Sequence, residues 1–380
     1  MKILQVHNYY TNPTGDDAVV QEEYDLLVRH GHEVIQFTKS NVILQEAGFM
    51  TKLGIATSLK SSGSVGLEFK SFLTRHKPEI VHVHNIYPLI TPVVFEICKE
   101  QNIPVVQTLH NYRLLCVNTL FYRQGQICED CMTKGLNEGV KHKCYNNSRL
   151  QSYLMASSLK YHRKLDSWNR NVDAFICLSV FAKTKFIKGG IHKNKLFIKP
   201  NFVAATAATI EYQNFWFYAG KLEQQKGLDD FLEIVQESPN ENFKVAGFVH
   251  DSTIFANLPN VEYLGQLTRE GVMRYMAKCK GLLFLSRMYE GMPMTIIEAY
   301  AHKKLVLARN IGAMTEMVKD DYSGTLFNEV EELKEKLIAY NDMEKCKQQG
   351  LYAHGLYKDN YSEGKALKNL LSIYNLAISE

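Results

Sequence analysis

Residues 281–298 read GLLFLSRMYEGMPMTIIE, and this stretch predicts how the second half of the chain folds. Its apolar start, residues 281–285, has the length and composition of a buried strand. Pro293 suits the first position of a helix, which we predict over residues 293–302. A buried strand followed by a loop and a helix is the repeating unit of a parallel sheet covered by helices.

The same pattern recurs along the whole chain. Short apolar runs predict strands at residues 2–8, 33–37, 80–83, 105–108, 174–178, 196–198, 215–218, 243–246, 261–264, 305–308 and 324–327. Between them we predict helices at residues 17–30, 93–99, 227–236 and 268–279. Gly31 follows the first of these helices at the position where a C-terminal glycine is expected.

Length and composition favour a globular α/β protein of two domains. The chain has 380 residues, of which 46% are hydrophobic and 22% are charged. We predict a first domain at residues 1–199 and a second at residues 200–361, with a C-terminal helix at 362–380 joining the first. Residues 200–213 have few large apolar side chains and suit a linker.

The loop after residues 281–285 combines an anion site with two acids. Ligands of open parallel sheets bind beyond the carboxyl ends of the strands. Gly291 and the uncapped amides of the first helical turn can approach an anion there. Glu290 and Glu298 flank this anion site at two depths. Alternatively, Glu290 caps the helix and Glu298 is a solvated surface acid.

Several motifs in the right order carry a resemblance to a known family. The segment YEGMPMTIIEA at 289–299 resembles the E-x7-E signature of glycosyltransferase family 4. Residues 219–222 (AGKL) with Lys226-Gly227, and residues 311–326, resemble further elements of that family. His84 and residues 108–111 (TLHN) stand where its first domain has active-site histidines. The resemblance covers essentially the whole chain. It implies the GT-B fold, which has two Rossmann-like, doubly wound parallel-sheet domains facing across a cleft.

The resemblance also implies a role for each matching position. Lys221 and Lys226 would neutralise the donor diphosphate, Glu298 would bind the nucleotide ribose, and Glu290 would contact the hydroxyls of the donor sugar. His110 would lie over the reacting sugar from the other domain, so the predicted catalytic residues are His110, Glu290 and Lys226. The remaining predicted donor-binding residues are Gly15, Gly220, Gly291, Met292, Pro293, Met294 and Thr295. Family members need no metal for catalysis, and the chain lacks the Asp-x-Asp metal-binding element of other glycosyltransferases.

The chain departs from the family pattern in two places. Lys221 stands where the family usually has arginine, so the charge is kept but the two-point fork is lost. The first-strand loop reads Gly15-Asp16-Asp17 in place of paired glycines. A carboxylate there repels phosphate, and we expect Asp16 or Asp17 to cap the following helix. Gly15 stays among the predicted donor-binding residues, and a role in shaping the acceptor site is the alternative.

The histidines of the first domain have two readings. Apart from the resemblance, His110 reads equally as a core histidine that is hydrogen-bonded behind a buried strand. His82 and His84 alternate with valines and therefore share one face of their strand. We predict a catalytic role for neither of these two.

Four of the eight cysteines fall in one loop-rich stretch. Cys116, Cys128, Cys131 and Cys144 follow the spacing C-x11-C-x2-C-x12-C. This spacing permits a structural zinc site, whereas reduced thiols and redox chemistry are the alternatives. Cys98, Cys177, Cys279 and Cys346 lie in apolar segments, where we predict core packing.

Charge is unevenly distributed and points to the acceptor. Residues 1–199 have 25 Lys and Arg against 16 Asp and Glu, and the remainder has 19 against 24. A basic first half suits an anionic partner, with chance surface drift as the alternative. In residues 49–77 the bases Lys52, Lys60, Lys70, Arg75 and Lys77 are mixed with apolar side chains that include Leu53 and Ile55, and residues 134–164 form a second basic stretch. Such segments suit an anionic membrane surface with a lipid-linked acceptor, or are simply solvated helix faces.

The combined prediction is a retaining glycosyltransferase that moves a sugar from a UDP- or GDP-sugar to a glycan or lipid-linked acceptor in bacterial surface polysaccharide synthesis. The first residues of the chain do not resemble a signal peptide, and no run reaches 18 apolar residues. We therefore expect a cytoplasmic location with peripheral contact at the inner membrane face. An epimerase-like GT-B enzyme and a non-catalytic nucleotide-sugar-binding protein are the alternatives. A nicotinamide-dependent Rossmann enzyme and a nucleic-acid-binding protein are disfavoured, because G-x-G-x-x-G and any nucleic-acid module are missing from the sequence.

Overall fold

A computed structural model describes residues 1–12, 14–46, 59–60, 63–205 and 208–379 of the chain. Lys52, Leu53 and Ile55 of the predicted basic stretch lie outside the described residues. The chain divides into two compact units. Unit 1 comprises Met1–Phe121, Cys128–Pro200 and Ala366–Glu380, and unit 2 comprises Tyr122–Ile127 and Asn201–Lys365.

Unit 1 is built on a six-stranded parallel sheet. Its strands are β1 (Lys2–Tyr9), β2 (Glu33–Ser40), β3 (Ile80–Val83), β4 (Val105–Leu109), β7 (Ala174–Cys177) and β8 (Leu196–Ile198), and their order in the sheet is β2-β1-β3-β4-β7-β8. Its helices, among the described residues, are α1 (Gly15–Arg29), α2 (Ile43–Glu46), α3 (Gly63–His76), α4 (Val93–Glu100), α5 (Asp130–Thr133), α6 (Asn137–Lys141), α7 (Arg149–Lys164), α8 (Ser167–Asn171) and α9 (Val180–Lys188), with a 3₁₀ turn at Lys193–Lys195.

Unit 2 is built on a second six-stranded parallel sheet. Its strands are β9 (Trp216–Ala219), β10 (Phe243–Ala246), β11 (Val261–Tyr263), β12 (Gly281–Phe284), β13 (Leu305–Arg309) and β14 (Gly324–Phe327), and their order is β11-β10-β9-β12-β13-β14. Its helices are α10 (Leu228–Glu237), α11 (Arg269–Met276), α12 (Met294–Ala301), α13 (Met314–Met317), α14 (Val330–Ala339) and α15 (Met343–Leu356). Two 3₁₀ turns (Gln224–Lys226 and Ser252–Phe255) and a π-helical turn (Tyr357–Tyr361) accompany them. This is the strand order of dinucleotide-binding Rossmann sheets, so the predicted doubly wound α/β class is confirmed.

A short hairpin belongs to a different unit from the domain predicted for its part of the sequence. Strands β5 (Tyr122–Arg123) and β6 (Gln126–Ile127) pair antiparallel and belong to unit 2, although residues 1–199 were expected to form one domain. Two-residue strands carry no alternating pattern, which is why the sequence does not reveal them. The C-terminal helix α16 (Glu363–Ser379) supplies the last part of unit 1.

The segment predicted as a linker is partly packed into unit 2. Phe202 and Val203 are buried, and the Val203 carbonyl accepts a hydrogen bond from the Tyr357 hydroxyl at 3.0 Å. Glu211 donates its amide to the carbonyl of Ala277 at 2.9 Å. The described part of residues 200–213 is therefore tied to unit 2 by its backbone.

Each unit has its own apolar core. In unit 1, Ile3, Ile80 and Ile176 of the sheet pack with Leu370 and Tyr374 of α16. In unit 2, helices α10 and α14 pack on the sheet through residues that include Phe231, Ile234, Leu333 and Leu337. Cys98, Cys177, Cys279 and Cys346 are buried, which confirms that they serve as core packing. Within the described residues, no helix is both long and apolar enough to span a membrane.

Candidate active site

The predicted donor residues lie where the sheet of unit 2 reverses its strand order. The chain builds β10 and β11 on one side of β9, and then β12, β13 and β14 on the other. A crevice forms at such a switch point beyond the carboxyl ends of the two central strands. Gly220 and Lys221 follow β9, and the loop from Ser286 to Glu290 follows β12. The topology thus brings the two predicted motifs to one edge of the sheet.

Lys226 and Glu290 form an ion pair at this edge. The Nζ atom of Lys226 lies 2.7 Å from Oε1 of Glu290, and the Ser286 hydroxyl donates to the same oxygen at 2.6 Å. The Lys226 side chain is 28% exposed and that of Glu290 is 11% exposed. The carboxylate is therefore fixed from two sides, whereas the ammonium is partly open to an incoming ligand. Lys226 and Glu290 were expected from the sequence, whereas Ser286 was not.

The backbone around Lys226 is fixed by a glycine and by hydrogen bonds. Gly227 has a φ of 88°, and a Cβ atom added there would lie 2.2 Å from the carbonyl oxygen of Leu285. The Tyr218 hydroxyl donates to the Lys226 carbonyl at 2.9 Å, and the Arg287 amide donates to the Gln225 carbonyl at 3.0 Å. The loop that carries Lys226 is thus tied to β9 and to the loop that carries Glu290.

Helix α12 begins one residue later than predicted, at Met294. Pro293 precedes it with φ −71° and ψ 116°, and no side chain caps this N-terminus in the described structure. The first-turn amides, including that of Thr295, remain available for an anion. The N-cap residue of α12 is Pro293 and not Glu290, whose Oε1 binds Lys226 and Ser286.

Glu298 is not a solvated surface acid. It is 6% exposed and lies in the second turn of α12, with one carboxylate oxygen 3.5 Å from Arg269. Lys221 is exposed after β9, and Gly220 before it has a φ of 149°. Met292 is buried, and its carbonyl accepts from the Asn201 side-chain amide at 3.5 Å. Gly291 is half-buried between Glu290 and this anchored residue.

A buried acid missed by the sequence analysis fixes the loop after β12. Asp230 of α10 accepts hydrogen bonds from the guanidinium groups of Arg287 and Arg309. The hydrogen bond to Asp230 raises the pKa of Arg287, so this pair stays ionised. Arg287 lies between Ser286 and Glu290, and Asp230 therefore holds the loop that presents Glu290. The sequence feature that could have revealed Asp230 is its position as an acid on the otherwise apolar face of α10.

The predicted histidine lies at the corresponding edge of unit 1. Strand order reverses there between β1 and β3, and His84 and His110 follow β3 and β4. Nε2 of His110 lies 2.9 Å from Nδ1 of His84, with the two rings stacked at 5.2 Å. Burial lowers the pKa of His110 to about 4 and holds the pKa of His84 well below its usual value. Both rings are therefore neutral at pH 7.

A charge-compensated network lies behind these histidines. Glu23 of α1 is 1% exposed and lies 2.8 Å from Nδ1 of His82, 3.5 Å from Nε2 of His84 and 3.0 Å from Nζ of Lys199. Glu23, His82 and His84 are the one set of three potential metal ligands within 4.8 Å of each other among the described residues. Because the Lys199 ammonium already supplies the positive charge, we interpret this set as an ion-pair network and not as a metal site.

The loop after β1 differs from its predicted capping. Thr14 is the N-cap of α1, and Asp17 completes a capping box by accepting the Thr14 amide at 2.8 Å. Asp17 therefore helps to cap the helix, as predicted, but as the reciprocal acid of a capping box whose N-cap residue is Thr14. The other oxygen of Asp17 lies 2.8 Å from Nε2 of His7. Gly15 is the first residue of the helix and stays a predicted site residue.

The structure pairs two of the four clustered cysteines. Cys116 and Cys131 share a side-chain hydrogen bond, which raises the pKa of Cys116 and lowers that of Cys131. All four belong to the described residues, and no three of their sulfur atoms lie within 4.8 Å of one another. The zinc site at Cys116, Cys128, Cys131 and Cys144 therefore stays a prediction.

An open pocket of about 580 Å³ lies beside α11 and not at the ion pair. Its lining includes Thr209, Glu211, Arg274 and Lys278, and neither Lys226 nor Glu290 contributes to it. Arg269 also lines it and is the residue that approaches Glu298. Because this pocket carries acids and bases in similar number and lacks the catalytic candidates, we place the candidate active site at the switch point.

Two Rossmann-type parallel sheets, with an ion pair and an uncapped helix at the switch point of the second, define the GT-B class. Comparison with family models agrees: residues 17–206 match Glycosyltransferase Family 4, and residues 204–354 match Glycosyl transferases group 1. The chain belongs to glycosyltransferase family 4.

The chain is also similar to individual proteins. It is 28% identical over 186 residues to the uncharacterized glycosyltransferase MJ1178 of Methanocaldococcus jannaschii, covering 44% of this chain and 49% of that protein. It is 26% identical over 264 residues to a 42.6 kDa protein in the cps region of Klebsiella pneumoniae, covering 67% and 63%. The alpha-galactosylglucosyldiacylglycerol synthase of Streptococcus pneumoniae is 29% identical over 133 residues, covering 32% and 35%. The chain thus spans between one third and two thirds of these relatives.

Solved structures share the fold along the full chain. A glycosyltransferase from Rickettsia africae has a TM-score of 0.69 at 16% identity, covering 100% of this chain and 98% of that one. The lipopolysaccharide outer core galactosyltransferase WaaB has a TM-score of 0.66 at 16% identity, covering 98% and 99%. Anabaena HepE in complex with UDP has a TM-score of 0.63 at 15% identity, covering 99% and 100%. These likenesses confirm the fold.

Proposed function

We propose that the protein is a retaining glycosyltransferase that transfers a hexose from a UDP- or GDP-sugar to a glycan or lipid-linked acceptor. The observation that carries this proposal is the Lys226–Glu290 pair beside the uncapped N-terminus of α12. A nucleotide-sugar offers this edge a diphosphate for the amides and the lysine, and sugar hydroxyls for the carboxylate.

The chemistry at this edge suits a leaving diphosphate. Negative charge grows on the leaving group as the bond to the sugar breaks, and preorganised cations and amides stabilise that charge. Lys226, with Lys221 on the exposed side, would supply this charge through side chains, and we propose that catalysis needs no metal ion. Retention follows if a leaving-group oxygen takes the proton of the acceptor hydroxyl on the same face of the sugar.

The relatives support the choice of donor and acceptor. HepE has been solved with UDP and with UDP-glucose, WaaB is named as a galactosyltransferase of lipopolysaccharide, and the pneumococcal relative is named for a diacylglycerol glycolipid. The Klebsiella relative is encoded in a cps region. We therefore propose a uridine donor first, and an acceptor within bacterial surface polysaccharide or glycolipid synthesis.

Thermal-shift measurement against UDP-, GDP-, ADP- and CMP-sugars tests the donor half of the proposal. We expect one nucleotide class to raise the melting temperature of the wild type and to lose most of this effect in Lys226→Ala. NMR of the slowly hydrolysed donor should then show release of the α-anomer from an α-linked donor. Stabilisation without any hydrolysis would favour a non-catalytic binding protein, epimer formation would favour the epimerase-like alternative, and no stabilisation would refute the donor site.

We also propose that one exposed face of helix α7 contacts an anionic membrane. Leu150, Tyr153 and Tyr161 are 67%, 58% and 39% exposed, and they recur with Lys160 and Lys164 at helical spacing. The helix has no Asp or Glu along its 16 residues. Exposed apolar and aromatic side chains beside bases suit the headgroup region of an anionic lipid surface, where a lipid-linked acceptor would lie.

Vesicle sedimentation tests this membrane face. The wild type should bind vesicles that contain phosphatidylglycerol and not vesicles of phosphatidylcholine alone, and Leu150→Ser with Tyr153→Ser should lose most of this binding. The matched control is Leu351→Ser with Tyr352→Ser, another exposed Leu–Tyr pair, on α15. Equal loss in both double variants, or equal binding to both vesicles, would refute the assignment to α7.

A further inference from the structure

His110 has one ring nitrogen with a partner and one without. Its Nε2 lies 2.9 Å from Nδ1 of His84. Its Nδ1 has no hydrogen-bond partner among the described residues, although the side chain is only 4% exposed. A buried polar atom without a partner is costly, and in an active site it commonly awaits a ligand. Whether that nitrogen is a donor or an acceptor depends on the position of one proton.

The far side of His84 faces a fixed negative charge. Nε2 of His84 lies 3.5 Å from Oε1 of Glu23, and Nζ of Lys199 lies 3.0 Å from the other oxygen, Oε2. Burial raises the pKa of Glu23, but the charges of Lys199 and His82 outweigh this and hold it well below its usual value. Glu23 is therefore a carboxylate, which accepts hydrogen bonds and cannot donate them.

The carboxylate sets the proton positions along the pair of imidazoles. Both rings are neutral, so each carries one N–H and one lone pair. A lone pair on Nε2 of His84 would be repelled by Glu23, whereas an N–H there is attracted to it. With its proton on Nε2, His84 offers a lone pair at Nδ1, and the 2.9 Å contact requires His110 to donate from Nε2. The one N–H of His110 then takes part in this hydrogen bond, and its Nδ1 carries a lone pair that can accept a hydrogen bond.

We propose that Glu23 is a positioning residue that fixes, through His84, the Nε2–H tautomer of His110, so that Nδ1 of His110 accepts a hydrogen bond from a substrate hydroxyl. This assigns His110 a sugar hydroxyl and not a phosphate oxygen, because a lone pair cannot bond an acceptor. The identity of the substrate rests on the proposed function. The tautomer does not, since it follows from the contacts of Glu23, His82, His84 and His110 within unit 1.

NMR of the full-length protein with ¹⁵N-labelled histidine tests the tautomer without substrate. Long-range ¹H–¹⁵N spectra distinguish a protonated from an unprotonated ring nitrogen, and His110→Asn and His84→Asn identify the two spin systems. We expect protonated Nε2 and unprotonated Nδ1 in both rings at pH 7. A protonated Nδ1 in either ring would overturn the proposal. A loss of nucleotide-sugar binding or transfer would leave this result unchanged, so failure of the proposed function is distinguishable.

The variant Glu23→Gln tests the role of Glu23. Lys199 bonds the oxygen at the Oε2 position, so the glutamine should turn its carbonyl toward Lys199 and its NH₂ group toward His82 and His84. An N–H that faces Nε2 of His84 reverses the direction of the hydrogen bond between the two histidines. His84 then donates from Nδ1, and His110 carries its proton on Nδ1. We expect this reversal in the spectra, with kcat for donor hydrolysis lowered about tenfold or more because a donor replaces an acceptor at the substrate.

Asp25→Asn is the matched control, because it removes a carboxylate of the same helix that accepts from Gln21 at 3.0 Å. It should leave both tautomers and kcat unchanged. If Glu23→Gln folds and the tautomer of His110 stays as in the wild type, the positioning role of Glu23 is refuted. If that variant does not fold, the wild-type spectra alone decide between the two tautomers.

Discussion

At the residue scale, the ion pair of Lys226 and Glu290 implies an exchange of partners when a ligand arrives. The pair lies at 2.7 Å, and Ser286 holds the carboxylate oxygen that the lysine uses. A diphosphate would compete with Glu290 for the ammonium, and the carboxylate would then be free to accept sugar hydroxyls. In the proposed donor complex the Lys226 ammonium would move from Glu290 to the diphosphate, while Ser286 and Gly227 would keep the loops in place.

Lys226→Ala is predicted to reduce kcat/KM for transfer by about 100-fold or more, the usual effect of removing one electrostatic contact to a developing negative charge. Stability should change little, since the side chain is 28% exposed and its removal leaves Glu290 with Ser286. Steady-state kinetics with a thermal melt of the same preparation measures both quantities.

Lys334→Ala provides the control for Lys226. Lys334 forms an exposed pair with Glu237 at 3.3 Å in the same unit, so its loss removes the same charge away from the switch point. Kinetics within twofold of the wild type are expected. Activity retained in Lys226→Ala, or lost equally in Lys334→Ala, would contradict the assignment of Lys226 to the donor.

Individual site residues were predictable where local sequence specifies their environment. Lys226, Gly227 and Glu290 lie in loops that follow strands, so a local motif captures them. Ser286 bonds Glu290 within the same loop, but a serine there has no distinctive pattern. Asp230 and Glu23 act on partners that are distant in sequence, and only the packed fold brings those partners together.

At the element scale, glycine at 227 is required by two separate constraints. Its φ of 88° strains any other residue, and an added Cβ atom would lie 2.2 Å from the Leu285 carbonyl oxygen. Gly265 has a φ of 70° but nothing within 4 Å of an added Cβ atom, so it isolates the conformational cost. The two glycines belong to the same unit and can be compared directly.

Gly265→Ala is predicted to lower the free energy of unfolding of unit 2 by about 1 kcal/mol. Gly227→Ala should cost about 3 kcal/mol or more, because steric overlap with Leu285, just after β12, adds to the strain. Urea unfolding followed by the fluorescence of Trp216, the buried tryptophan of β9, measures both. Equal costs for the two variants would show that the contact with Leu285 is relieved without penalty.

The N-terminus of α1 predicts a dependence of stability on pH. Burial raises the pKa of Asp17, but hydrogen bonds from His7 and Thr14 outweigh this and lower it from 3.8. A carboxyl whose pKa is lowered on folding stabilises the protein above its unfolded pKa and loses this effect as pH falls through its folded pKa. Asp17→Asn should therefore be less stable than the wild type between pH 5 and 7, and the difference should shrink below about pH 3.8.

Urea unfolding of unit 1 at several pH values measures this difference. Asp25→Asn, which removes a carboxylate farther along α1, should show no such convergence with the wild type at low pH. A stability difference for Asp17→Asn that grows as pH falls would contradict the proposed sign.

Strands and the main helices were predictable because their apolar periodicity is strong, and β10 and β14 match their predicted bounds. The starts of α12 and α1 were misplaced, by one and by two residues respectively. Such ends depend on backbone angles that several nearby residues can adopt. The hairpin Tyr122–Ile127 pairs two strands of two residues each, which are too short to leave a periodic signal.

At the scale of the whole molecule, the core of unit 1 is completed by the C-terminal helix. Leu370 and Tyr374 of α16 are fully buried among residues from β1, β3 and β7. The Tyr374 hydroxyl lies 2.7 Å from Nδ1 of His82, so α16 also contacts the network behind His84. Stability of unit 1 therefore depends on a segment that is remote in sequence from the rest of it.

Leu370→Ala is predicted to destabilise unit 1 by about 2–5 kcal/mol, the usual cost of emptying a fully buried leucine site. Unit 2 has its own core and should keep its transition temperature. Calorimetry of the full chain, with the two transitions assigned by nucleotide stabilisation of one of them, measures this selectivity.

Leu376→Ala on the same helix is the control, because Leu376 is 38% exposed. It should move neither transition by more than about 0.5 kcal/mol in equivalent free energy. A shift of both transitions by Leu370→Ala would show that the two units unfold as one cooperative block.

The division of the chain into interleaved segments also orders events during protein synthesis. Because unit 1 includes Ala366–Glu380, ribosomes must translate all of Asn201–Lys365 before α16 can reach β1, β3 and β7. The apolar groove of nascent unit 1 that α16 will cover therefore stays exposed while unit 2 is synthesised. Unit 2 can fold during this time. Chaperones that bind exposed apolar surface can bind this groove throughout that time. Premature termination after residue 365 would leave the groove permanently exposed.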